Sequence, residues 1–120
     1  MEIWYHDRNF DGALNSFTYI AGNVRGVNLR NVSNLGQANG EGKPDYFFIN
    51  PFSLLNDEYW GEIKRCVDVY PGTRFLILAL DGEEQSEVIE RVIGSPDNVE
   101  LLELDRSLAR RLNGILKMAS

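Results

Sequence analysis

The 120-residue chain is poor in the residues that staple or charge small proteins: one cysteine, one histidine and four prolines. A lone thiol, Cys66, has no partner within the chain, so no internal disulfide holds this fold, and a reducing compartment is expected. Cys66 falls on the apolar stripe of a helix-like segment. With His6 the only histidine, it reads as a structural thiol and not as a nucleophile. Cations are scarce as well. Twelve Lys and Arg stand against 18 Asp and Glu, for a net charge of −6. The basic footprint that nucleic-acid binding usually needs is missing at the level of the whole chain. No apolar run approaches the roughly 20 residues that cross a bilayer. The opening Met1-Glu2-Ile3-Trp4-Tyr5 carries a negative charge and lacks the apolar core of a signal peptide. The expectation is a soluble, cytoplasmic protein with neither a membrane nor a nucleic-acid partner.

What is present suits a packed core. Hydrophobic residues make up 43% of the chain, with two Trp, six Phe and five Tyr, and a single domain over residues 1–120 is expected. Four short runs are continuous and rich in aromatic or branched residues: Ile3 to Tyr5, Tyr46 to Ile49, Phe75 to Leu80 and Val99 to Leu104. They read as strands buried on both faces of a parallel sheet. Val24 to Leu29 is weaker and alternating, which suits a strand nearer an edge.

Helical stripes lie between the runs. Leu14, Phe17 and Ile20 form one. Leu55, Tyr59, Ile63, Cys66, Val67 and Tyr70 form a second, stopped by Pro71-Gly72. Val88, Ile89, Val92 and Ile93 form a third, opened by Asp81 with Glu84 and closed at Gly94. Leu108, Leu112, Ile115 and Leu116 form the last, with Asp105 placed to cap it. Residues 32–42 break the rhythm with Ser33, Asn34, Gly36, Asn39, Gly40 and Gly42, which favour turns, so a short or missing helix and a mobile loop are expected there. Those glycines do not form a phosphate-binding loop, since no Gly-Lys-Ser/Thr follows them.

This alternation predicts a flavodoxin-like three-layer α/β/α sandwich. Parallel strands near residues 2–6, 24–30, 45–50, 74–80 and 98–104 should stand in the order 2-1-3-4-5. In such sheets ligands bind beyond the strands' carboxyl ends. Asn50 stands at that edge, after Lys43-Pro44-Asp45-Tyr46-Phe47-Phe48-Ile49. A carboxylate there would bind a cation or accept a phosphoryl group, whereas an amide carries no charge and is a far weaker nucleophile.

The spacing resembles the receiver domains of bacterial response regulators over the whole chain. His6-Asp7 follows the first strand where receivers carry an acidic pair, Pro44-Asp45 precedes the third, and Asn50 falls on the phospho-acceptor position. The resemblance implies a Mg²⁺ site, a Ser or Thr after the fourth strand and a Lys after the fifth. Here Asp7 alone is retained. Asn50 replaces the acceptor, Ala79 (or Leu80 in the alternative register) stands at the hydroxyl position, and no Lys occurs from Val99 to Ser107. The chain thus reads as a pseudo-receiver: a non-enzymatic signalling module with no cofactor that binds a neighbouring domain, another protein or a second copy of itself.

A second, local resemblance covers about a dozen residues. Tyr5-His6-Asp7-Arg8-Asn9-Phe10-Asp11-Gly12 is similar to the first motif of the DHH phosphoesterases, which implies metal ligands at His6 and Asp11. That family also needs an Asp where Asn50 stands and an Asp-His-His where Leu80-Asp81-Gly82 is the nearest candidate. The enzymatic alternatives are such a phosphoesterase, or an atypical phospho-acceptor using Asp7, Asp11 or Asp45. A nucleotide- or flavin-binding module at the same edge is a third reading. Without metal, Asp7 and Asp11 can cap the following helix, and His6 can be a hydrogen-bonded strand-end residue.

For partner binding, Arg106, Arg110, Arg111 and Lys117 give the last helix a positive face. Tyr59 and Trp60 are adjacent on one helix. With Tyr59 on the apolar stripe, Trp60 is expected to be partly exposed, where it would serve as an interface anchor.

Overall fold

The computed structural model describes residues 1–7, 25–51, 57–79, 82–103 and 106–119. The expected helix around Leu14, Phe17 and Ile20, the metal candidate Asp11, and the capping residues Asp81 and Asp105 lie outside them.

Five strands form: β1 (Glu2–Asp7), β2 (Asn28–Asn31), β3 (Tyr46–Asn50), β4 (Arg74–Ala79) and β5 (Val99–Glu103). They pair in parallel throughout and in the order β2-β1-β3-β4-β5. This is the flavodoxin-like arrangement that the alternating runs predict. Among the described residues the α-helices are α1 (Asp57–Val69), α2 (Gly82–Val92) and α3 (Arg106–Ala119).

The sheet has two distinct faces because strand side chains alternate. Trp4, Phe47, Ile49, Phe75 and Ile77 pack on α1, α2 and the 32–38 segment. Ile3, Phe48, Leu76 and Leu78 pack on Leu112 and Ile115 of α3. The first face is aromatic. Trp4 meets Phe47 edge-on at 5.9 Å and Tyr70 at 5.5 Å, while Phe47 stacks on Phe75 at 5.3 Å. Full burial of one such ring stabilises the fold by about 1.5–3 kcal/mol, with about 0.5–1.5 kcal/mol more from ring pairing.

Two elements differ from expectation. The second strand begins at Asn28, several residues later than its apolar pattern suggests. Gly26 takes a left-handed φ of 88° and turns the chain just before it, so pairing starts only where Asn28 N–H reaches Met1 O at 2.8 Å. As the alternation implied, the strand lies at a sheet edge.

The expected mobile loop is anchored instead. Its only helix is a single 3-10 turn, Leu35–Gln37, as the Ser/Asn/Gly content predicts, but Val32, Leu35 and Ala38 are buried. From α1, Arg65 donates to Ala38 O at 2.9 Å and Leu35 O at 2.8 Å. The Tyr70 hydroxyl donates to Glu41 O at 2.9 Å and accepts from Gly40 N–H at 3.0 Å. Gly42, with φ 80°, lies so near Trp4 that a Cβ would sit 3.1 Å from the indole ring. Helix two of the expected plan is thus replaced by a strap held down by α1.

Candidate functional site at the carboxyl edge of the sheet

Because all the strands run parallel, their carboxyl ends meet at one rim. Asp7 ends β1, Asn50 ends β3 and Ala79 ends β4. Asp7 and Asn50 are register partners, on strands about 4.8 Å apart. Ala79 pairs with Glu103 of β5. The rim therefore brings together the three positions that the sequence pattern marks. Asn50 is 8% exposed and follows three wholly buried residues, Phe47, Phe48 and Ile49, so the core fixes its position. At that point an amide offers one donor group and one acceptor and no charge. It lacks the anionic oxygens that a hard cation requires.

His6, one residue before Asp7, turns into the core at 2% exposure. Its Nδ1 lies 2.7 Å from Val32 O. A carbonyl can only accept, so Nδ1 carries the proton and donates. The ring also lies 6.0 Å from that of Tyr59. This is the hydrogen-bonded strand-end role, and it joins β1 to the strap.

Asp45 is not part of the rim. It precedes β3, and its Oδ2 accepts Glu2 N–H at 2.8 Å, while its own N–H donates to Glu2 O. The length of β3 separates it from Asn50 by roughly 16 Å. Its position at the opposite end of the strand sets it apart from Asp7, the other described acidic candidate.

Trp60 also departs from expectation, being 0% exposed. The buried positions of α1 are Trp60, Ile63, Cys66 and Val67, and Tyr59 is only partly buried on the flank of the same cluster. Trp60, Ile63 and Val67 recur at i, i+3 and i+7 and so share one buried stripe, with Tyr59 on its flank. Trp60 is therefore core and not an interface anchor. Cys66 is buried as expected. Its thiol is pushed up to about 11 by burial, partly opposed by the Arg65 charge, which keeps it protonated and unreactive at neutral pH.

On α3, Arg106 is the first residue and Arg110 is exposed. Arg111 is half-buried and engaged: Nε and Nη2 reach the two carboxylate oxygens of Glu100 at 3.3 and 3.0 Å. That hydrogen-bonded pair raises the guanidinium above its ordinary range. The positive face is thus narrower than the sequence suggested, with Arg111 neutralised across α3 and β5.

Two features gave no signal that the sequence reading used. The Arg65 anchor joins residues about thirty apart, which no local pattern encodes. Leu101 is 43% exposed, although its run reads as buried. Its signal was the strand order itself, which puts β5 at an edge.

Among the described residues there is no group of three or more His, Cys, Asp or Glu side chains that could hold a metal ion, and no helix is long and apolar enough to cross a membrane. Compared with protein-family models, with curated proteins and with solved structures, the chain matches none.

Proposed function

We propose that the chain is a cytoplasmic regulatory module that works by binding a protein partner, with no aspartyl phosphorylation step. The observation that carries this reading is Asn50: a buried amide at the carboxyl end of the central β3, in register with Asp7, where the receiver-like plan calls for a carboxylate. A single Asp beside an amide is a poor holder of Mg²⁺ and a poor phosphoryl acceptor. The hydrogen bond from His6 to Val32 O also favours this reading over a metal-dependent phosphoesterase, since the only imidazole is built into the core. Control then rests on partner binding itself, because a conformational change requires a ligand that prefers one state.

The partner surface we favour is α3, where Arg106 and Arg110 concentrate positive charge on an acidic chain. Such a patch steers an acidic partner and makes association sensitive to salt. The double variant Arg106→Glu/Arg110→Glu lies off the buried Leu112 and Ile115 and should fold normally. It should weaken the complex by about 1–3 kcal/mol. Affinity capture from native extract at two salt concentrations, with the captured polypeptide quantified for wild type and variant, tests this. Equal recovery at low salt would remove α3 from the interface.

A further inference from the structure

Strand β5 stands at the end of the sheet order, and among the described residues no strand pairs with its outer edge, which is not blunted by charge at its centre. Phe75 N–H donates to Asn98 O at 2.7 Å. In a parallel ladder this turns the backbone groups of residues 98, 100 and 102 towards β4 and those of Val99 and Leu101 outwards. Val99 N–H is taken by Pro96 O at 3.2 Å. Leu101 therefore presents a donor and an acceptor to the open edge, and Val99 a second acceptor. The Leu101 side chain is 43% exposed and borders a groove of ≈ 400 Å³ lined by Ile89, Glu90, Pro96, Asp97 and Val99 among others.

Charge decides what fits. Both ionisable residues lining the groove, Glu90 and Asp97, are acidic and exposed. The nearest cation in sequence, Arg91, reaches away to Asp57 at 2.6 Å. A second copy of this chain, with net charge −6, would bring like charge to an acidic edge.

We infer that the β5 edge and the α2–β5 groove form a docking site for an extended basic segment of a partner protein, which adds as a strand beside Leu101. Backbone hydrogen bonds to Leu101 and Val99 set its register. Its apolar side chains lie on Leu101, Pro96 and Ile89, and its Lys or Arg side chains face Glu90 and Asp97. The site is separate from the α3 surface and goes beyond the reading above, since it assigns a second contact with the opposite charge preference.

The probe is a short fluorescein-labelled peptide of alternating Lys and Val, followed by fluorescence polarisation with the full chain. Saturable binding is expected, with NMR shifts centred on Val99 and Leu101. Leu101→Lys, an exposed substitution that should leave thermal unfolding unchanged, is expected to weaken it roughly tenfold or more. N-methylation of the central Val should weaken it several-fold by removing a strand donor. Arg106→Glu/Arg110→Glu should leave it intact, which separates failure of this site from failure of the α3 assignment. The proposal is overturned by no saturable binding, by equal binding of a Lys/Gly or a Glu/Val peptide, or by loss of binding in the α3 variant but not in Leu101→Lys. Concentration-dependent self-association abolished by Leu101→Lys would also overturn it, by assigning the edge to a second copy.

Discussion

At the amino rim of the sheet, polar side chains bind the fold to itself. Asp45 accepts Glu2 N–H at 2.8 Å, buried Thr73 donates to Pro44 O at 2.6 Å, and Asn98 donates to Thr73 O at 3.1 Å. At the carboxyl rim, Asp7, Asn50 and Ala79 end three neighbouring strands in the place where open α/β sheets carry their chemistry. The same strands run between the two rims, so the difference lies in side chains and not in topology. One rim uses its polar groups to fix the start of each strand. The other ends its central strand in a buried, uncharged amide, Asn50, in register with Asp7. A scaffold of this kind keeps its architecture through the aromatic face and the amino rim, neither of which needs the chemistry of the carboxyl rim.

If the walls around both rims are structural, removing their anchors should cost stability in proportion to burial. Trp60, wholly buried where α1 begins beside the carboxyl rim, should be the costliest. Trp60→Ala is expected to lower unfolding free energy by about 3–5 kcal/mol in urea. A loss below about 1 kcal/mol would return Trp60 to the surface and revive it as a binding anchor.

Tyr70 comes next. It closes α1 at the amino rim and holds the strap through Gly40 and Glu41. Tyr70→Phe should cost about 1–2 kcal/mol and speed hydrogen exchange at the Gly40 amide, while exchange in β3 keeps its protection. Unchanged exchange at Gly40 would show that the strap is held without α1.

The smallest effect concerns Cys66. Its ordinary value is 9.0 and burial pushes it up to about 11. The unfolded thiol therefore loses its proton before the folded one does. Its stabilising contribution is complete below the unfolded value and is lost as pH rises towards the folded one, amounting to about 1 kcal/mol by about pH 10. Cys66→Ala should flatten that part of the stability–pH curve, and iodoacetamide should not label the native thiol at neutral pH. Rapid labelling without unfolding would contradict its place in the core.

Much of the fold was legible because its signals are local. The run Tyr46 to Ile49 marks β3, Gly94 closes α2 with a left-handed φ of 80°, and the Asn and Gly residues of 32–42 leave only one 3-10 turn. Asn50 was legible for the same reason, since a polar residue that ends an apolar run sits at a strand's edge. Trp60 was misassigned, because Trp60, Ile63 and Val67 also keep an i, i+3, i+7 spacing, and a stripe drawn through Tyr59 left Trp60 off it. The roles of Arg65, Asp45 and Arg111 arise from partners distant in sequence: Arg65 meets the strap, Asp45 the start of β1, and Arg111 meets Glu100. Leu101 was misread because an apolar run signals burial, whereas the last strand of an open sheet has one neighbour.

We propose above that the carboxyl rim, with Asn50 beside Asp7, takes no phosphoryl group. Intact-mass spectrometry after incubation with acetyl phosphate and Mg²⁺ tests it most directly, on the wild type and on Asn50→Asp. No phosphoryl adduct is expected on the wild type and no efficient adduct on Asn50→Asp, because the new carboxylate would stand beside Asp7 with no Lys to neutralise the incoming phosphate. A stoichiometric, base-labile adduct on the wild-type chain at Asp7 would contradict it.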